Sequence, residues 1–229
     1  MQLLGMGIPY QYVADGAPSY PRGFKAVADA KGALSAQLSW TTPSVNYLGA
    51  ALTGLTGTKV YRNNQLVYTS TETTQGKAVA WTDKPATDGY YIYKVVPYNA
   101  AGDGVYKEFA AYVGEDLPGE PQNVTLTTHG GNAEITWAAP ANGKHGGYFD
   151  NTTLKYNVVR MPDNKVVVEG TTSLRATDAV SVQKGYSYVI TAVNKKGVGA
   201  SATSKTLSFG PEDSVPFTSP LTTQDDFDR

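Results

Sequence analysis

Tyr91-Ile92-Tyr93-Lys94-Val95-Val96-Pro97-Tyr98-Asn99, with Gly102 three residues on, is written again as Tyr186-Ser187-Tyr188-Val189-Ile190-Thr191-Ala192-Val193-Asn194, with Gly197 three residues on. Working outward, Leu38-Ser39-Trp40-Thr41-Thr42-Pro43 matches Ile135-Thr136-Trp137-Ala138-Ala139-Pro140. Lys59-Val60-Tyr61-Arg62 matches Asn157-Val158-Val159-Arg160, and Trp81-Thr82-Asp83 matches Ala176-Thr177-Asp178. The offset stays at about 95–100 positions, the length of one β-sandwich domain and too long for a solenoid repeat. The duplication predicts an all-β chain of two tandem sandwiches.

The local pattern agrees. Leu34, Ala36, Leu38 and Trp40 alternate with other residues, as in a strand with one buried face. Pro21 opens a preceding strand carrying Phe24 and Val27. Asn63-Asn64 turns the chain between two strands, because Asn tolerates left-handed backbone. A long insertion runs from Pro43 to Gly57. No stretch shows helical periodicity, so helix is expected to be nearly absent. The predicted organisation is a leader or remnant of a preceding module at 1–19, domain one at 20–114, a linker at 115–120, domain two at 121–210, and a connection to a following module at 211–229. Pro118 within the linker and Pro121 at its end stiffen the connection.

The 229 residues have room for two cores. The net charge of −1 offers no general basic surface for nucleic acid. With no cysteine there is no disulfide, thiolate metal site or cysteine nucleophile. No apolar run approaches the roughly 20 residues that cross a bilayer, and residues 1–7 lack the basic and apolar regions of a signal peptide.

The two Tyr-x-Tyr strands with their following Asn and Gly, and the Trp followed three residues later by Pro, resemble the fibronectin type III domain over about 190 residues. The resemblance implies two seven-stranded sandwiches, with Trp40 and Trp137 in the cores. It implies that Tyr91 and Tyr186 are tyrosine-corner residues whose hydroxyls tie to nearby backbone. Pro97 departs from its partner Ala192, and a Pro within a strand loses a ladder donor, so it should face a gap or irregular edge. The glycine-rich insertion Gly49–Gly57 makes the first copy similar to modules of large secreted bacterial proteins. The tail from Val215 to Asp228 looks like the start of a further module, so the chain reads as a fragment of a longer extracellular or cell-surface protein.

Candidate chemistry is sparse. His129 and His145 fall in expected turns, and His145, with Asp150 nearby, reads as a solvent-exposed loop residue and not a ligand. Asp83 and Asp178 hold matched positions, which favours a shared turn hydrogen bond over catalysis. Asp225, Asp226 and Asp228 are a weak calcium signal. No catalytic, cofactor-binding or metal residue is expected. If Tyr91, Tyr93, Val95 and Pro97 face the core, then Tyr90, Ile92, Lys94, Val96 and Tyr98 face outward, joined by Lys59 and Tyr61. Tyr61, Tyr90, Ile92, Val96 and Tyr98 are therefore the candidate interaction surface, since exposed aromatic clusters mark contact sites. Cross-strand stiffening is the alternative. The matched positions in the second copy, Ser187, Val189, Thr191 and Val193, lack aromatics. A cover for the first face is expected from residues 1–19, where Ile8, Tyr10 and Tyr12 alternate, or from a neighbouring module.

The chain is thus expected to be a non-enzymatic spacer and interaction segment whose partners are neighbouring modules. The alternative is a glycan- or protein-binding module acting through the aromatic face or the end loops, accessory to a catalytic domain elsewhere.

Overall fold

A computed structural model describes residues 13–129, 131–180 and 185–209. They form sixteen strands and no helix, divided between two compact units. The first unit takes in residues up to Asp116 together with His145–Phe149; the second takes in Leu117–Lys144 and the chain from Asp150 onward.

In the first unit, β1 (Arg22–Ala28), β2 (Ala36–Thr41) and β5 (Ala78–Asp83) make a three-stranded sheet in the order β1-β2-β5. The facing sheet runs β4 (Gln65–Ser70), β3 (Gly57–Arg62), β6 (Gly89–Asn99), with β7 (Gly102–Asp103) and β8 (Lys107–Val113) both paired to β6. The second unit repeats this. Here β9 (Gln122–His129), β10 (Asn132–Ala138) and β13 (Arg175–Ala179) oppose β12 (Lys165–Thr171), β11 (Lys155–Met161), β14 (Gly185–Asn194), β15 (Gly197–Thr203) and β16 (Leu207–Ser208). Each copy is a seven-stranded sandwich whose last strand is broken in two.

The two cores occupy equivalent places. Ala36, Leu38, Trp40, Val60, Tyr93 and Val95 are buried in the first, as are Ala133, Ile135, Trp137, Val158, Tyr188 and Ile190 in the second. Trp40 is 2% exposed and Trp137 5%. The edges are closed differently. In the first unit Tyr68 stacks on Trp81, with centroids 4.7 Å apart and rings 3° from parallel, and Phe24 meets Phe109 edge-on at 6.4 Å. The second unit places Val168 and Ala176 opposite the same core residues, so aliphatic packing does the work there.

Two strand details differ from expectation. Leu34 precedes β2 and is 39% exposed, because Asp29 caps the Lys31 and Ala33 amides and holds residues 29–33 in a turn. Val27 is 60% exposed: Phe24 and Val27 sit three apart, and a two-residue period lets only one of them face the core. The Asn-Asn turn and the strand proline behave as expected. Asn63 and Asn64 take φ of 48° and 66°, the paired positive values of a two-residue hairpin turn. Pro97 faces the break in the last strand, since Tyr98 pairs with Asp103 and Val95 with Lys107, leaving 104–106 to loop out.

That break is where the chain before each first strand is captured. Val105 N–H donates to the Pro18 carbonyl at 3.0 Å, and Ala200 N–H to the Pro118 carbonyl at 2.9 Å. Gly104 and Gly199 sit under those carbonyls, and a Cβ on either would collide with the carbonyl oxygen. The residues expected as a linker carry backbone bonds of their own. Leu117, Pro118 and Gly119 are bonded within the second unit, to Lys144, Ala200 and Asn142, while Asp116 is fully buried.

Trp40→Ala or Trp137→Ala should each cost about 3–5 kcal/mol in chemical unfolding, as large-to-small core changes do. Gly104→Ala and Gly199→Ala should both destabilise their own domain, whereas Gly49→Asn, with open space around it and a φ of 86° that Asn tolerates, should cost less. Equal effects at the three glycines would contradict this reading of the strand break.

Candidate functional site

The outward face of the first unit's larger sheet is built by alternation. In β6, Tyr93 and Val95 are fully buried, while Tyr90 is 57% and Ile92 45% exposed. Tyr61 lies in register with Lys94, Lys59 with Val96, and Gly57 with Tyr98, so one face gathers the candidate residues. Lysines cover part of it. Lys94 Nζ stands 5.1 Å from the Tyr61 ring centroid and 5.5 Å from that of Tyr106, and also donates to Asn64 Oδ1 at 2.9 Å. Lys59 Nζ stands 4.8 Å from the Tyr98 centroid and pairs with Asp103 at 2.6 Å, a pairing that raises the Lys59 pKa.

This arrangement corrects the expected surface at one residue. Val96 is only 5% exposed: the two lysine–tyrosine pairs bracket it, so it offers nothing to a partner. Tyr61 and Tyr98 are half-buried and occupied by ammonium groups. Tyr90 and Ile92 remain open, and Ile92 lines a shallow depression of about 420 Å³ with Asn63, Asn64, Lys94 and Glu108. The described part of the leader lies elsewhere: Pro18 and Ser19 pair with Asn46 and Val45, at the end where β1 begins. Ile8, Tyr10 and Tyr12 lie outside the described residues, as does the acidic tail.

Tyr91 makes the corner contact the resemblance implies, its hydroxyl donating to the Thr87 carbonyl at 2.8 Å. Tyr186 is buried against Phe209, with the Arg160 guanidinium 4.7 Å from its ring centroid.

His145 departs from its expected role as a free loop residue. Within the first unit its Nδ1 lies 2.8 Å from Asp116 Oδ1, and its ring stacks on Tyr112 at 5.1 Å and 6°. Asp116 Oδ2 accepts the amides of His145 and Gly147. Burial, with the Asp116 and Asp88 carboxylates nearby, pushes the Tyr112 hydroxyl up to about 12. Asp150 pairs instead with Lys195, and that contact with the Thr152 hydrogen bonds holds its carboxyl down at about 2. His129 ends β9. Among the described residues no group of three or more His, Cys, Asp or Glu gathers to hold a metal.

Sequence reasoning missed the polar centre of each domain. Asp83 and Asp178, both 4% exposed, make no turn bond. Arg62 Nη1 donates to both Asp83 oxygens at 3.0 and 2.9 Å, and the Tyr93 hydroxyl to Oδ2 at 2.8 Å. In the second domain Arg160 Nη1 and the Tyr188 hydroxyl donate to Asp178 Oδ2 at 2.7 and 3.1 Å, with Lys165 on Oδ1 at 2.6 Å. Burial and the carboxylate raise both tyrosine pKa values well above the ordinary one, so the hydroxyls stay protonated and donate. The signal was available: Arg, Asp and Tyr recur at matched positions in both copies.

Strand order and register give both units the same seven-stranded sandwich topology, the fibronectin type III fold, in tandem. The sequence matches no family model and no curated protein. Solved structures similar to this chain include the FN1–FN3 domains of chicken CNTN1, at 15% identity, covering 85% of this chain and 68% of that one, with a TM-score of 0.35. A two-domain fibronectin type III segment of chicken tenascin shares 12% identity over 82% of this chain and 98% of its own, at 0.36. Domains d3–d4 of the rat CD45 extracellular region share 12% over 44% and 55%, at 0.34.

Removing Asp83 leaves the Arg62 guanidinium and the Tyr93 phenol without their carboxylate, so Asp83→Ala should cost about 3–5 kcal/mol. Arg160 also holds Asp163, through Nε at 3.1 Å and Nη2 at 2.6 Å, so Asp178→Ala should cost less than Asp83→Ala. Glu134→Ala, which breaks an exposed pair with Arg175, should cost under about 1 kcal/mol in the same unfolding assay. Asp150 has a lowered pKa, so its contribution is complete above its unfolded value of about 3.9 and fades as pH falls towards 2. Carboxyl NMR titration should place its midpoint near 2, and Lys195→Ala should move it upward.

Proposed function

We propose that this chain is a non-enzymatic spacer that holds flanking modules of a secreted or cell-surface protein, of the bacterial multidomain kind, at a set distance. The observation that carries the reading is where the chain enters and leaves each domain. In the first, β1 starts opposite the end of β2 (Arg22 with Thr41), and β8 ends opposite the start of β6 (Val113 with Gly89). Because β2 starts beside the end of β5 (Ala36 with Asp83), the start of β6 lies at the far end from Arg22. The second domain repeats the route, with Gln122 opposite Ala138 and Ser208 opposite Gly185. Each domain thus advances the chain by its own long axis. The 11 residues of β6 span about 36 Å at ~3.3 Å per residue.

Cross-strand lysine–tyrosine pairs on the first domain's outward face support stiffening of the sheet. The open residues Tyr90 and Ile92, and the loop at 44–57, where Leu48 is 65% exposed, favour a second role in contacting a glycan or protein, accessory to a catalytic domain elsewhere.

Pulled from its ends in a single-molecule force experiment, the chain should unfold in two steps. Each step should release about 30 nm, the reach of roughly 90 extended residues. Gradual yielding without discrete steps would remove the spacer reading.

A further inference from the structure

The duplication supplies an internal control for surface features, since one sandwich has been built twice. The first strand of each copy bends at the same bulge. Register slips between Arg22 and Lys25 in β1, and at Gln122 of β9, and the residue after each, Gly23 or Asn123, takes positive φ (58° and 52°). Bulges of this kind re-aim neighbouring side chains. What they aim differs between copies. In the first, Tyr20, Pro21, Arg22, Gly23, Phe24, Lys107 and Glu108 line an open depression of about 440 Å³. Tyr20 is 44% and the adjoining Phe109 43% exposed. By register, the matched residues of the second domain are Glu120 for Tyr20, Gln122 for Arg22, Val124 for Phe24, Ala202 for Lys107 and Ser204 for Phe109. The second copy therefore folds the same way with none of these aromatic rings and neither cation. Phe24 and Phe109 pack on each other at the first domain's edge, but the matched Glu120, Gln122 and Ala202 show that the sandwich forms without Tyr20, Arg22 or Lys107.

The charges are also set apart from the ion pairs that stabilise the domain. Lys59 is bound to Asp103 and Arg62 to Asp83, and Glu108 lies directly across from Lys94 in the sheet. Arg22 and Lys107 form no ion pair with a described residue, and both are exposed. The Lys107 ammonium lies over the Tyr20 ring, 4.5 Å from its centroid, a cation–π contact that fixes the charge beside a ring which, unlike half-buried Tyr61 and Tyr98, remains 44% exposed. We propose that this depression binds an acidic polysaccharide, a chain of sugar rings bearing carboxylate or sulfate groups. Flat aromatic surface suits the apolar face of a sugar ring, Arg and Lys suit its anion, and an open cleft along a strand admits a polymer. This site is additional to the spacer role and stands or falls separately from it.

The full chain would be passed over immobilised heparin, polygalacturonate and dextran sulfate, with neutral dextran and inorganic polyphosphate as controls. Retention on at least one of the three acidic polysaccharides, and none on dextran, is expected; polygalacturonate against dextran sulfate separates carboxylate from sulfate. Arg22→Ala with Lys107→Ala should weaken binding at least about tenfold, the loss of two charge-assisted contacts, without changing thermal unfolding. Lys155→Ala with Lys205→Ala removes the same charge elsewhere and should leave binding intact. Tyr20→Ala should weaken polysaccharide binding and leave any polyphosphate binding unchanged. No retention on any acidic polysaccharide, equal losses in the two double variants, or a Tyr20→Ala variant that binds like the parent would each overturn the proposal.

Discussion

One buried carboxylate in each domain ties the two sheets of the sandwich together. Asp83 ends a strand of the three-stranded sheet, while Arg62 and Tyr93 come from neighbouring strands of the opposing one. Asp178, Arg160 and Tyr188 do the same in the second domain. Apolar packing between sheets is non-directional and tolerates sliding. A carboxylate out of water tolerates none, because its charge must be met by donors in hydrogen-bonding geometry. The core residues Leu38, Val60 and Val95, and Ile135, Val158 and Ile190, pack around a contact whose position is set by charge.

Around that shared centre the two domains solve their edges independently. The first uses rings, Tyr68 on Trp81 and Phe24 against Phe109, where the second uses Val168, Ala176 and Val124. The indole nitrogens of Trp40 and Trp137 are both buried without a hydrogen-bond partner among the described atoms, so these residues contribute as apolar volume.

The outward tyrosines of the first domain show how one sheet face serves two ends. Lys59 and Lys94 each lie over a tyrosine ring while holding a second partner, Asp103 or Asn64. Their methylene stems cover apolar surface while the ammonium remains wet. That coverage explains why Val96 is buried on a face its alternation turns to solvent.

The two sandwiches, the buried tryptophans, the Asn63-Asn64 turn and the irregularity at Pro97 can all be read from the order of residues alone. Each follows from a local rule: a two-residue period, a backbone preference, or a missing donor. Repetition at about 95–100 residues then turned local patterns into domains. Which charges meet is settled by the packing of the folded chain. Arg62 and Asp83 are 21 residues apart, and Asp116 and His145 are 29 apart; no periodicity links them, because each pair forms where separate strands or loops converge. Asp150, near His145 in sequence, pairs with Lys195 for the same reason. Alternation reveals which face a residue takes, but the long side chains that fold back over that face, as at Val96, are set by neighbours from other strands.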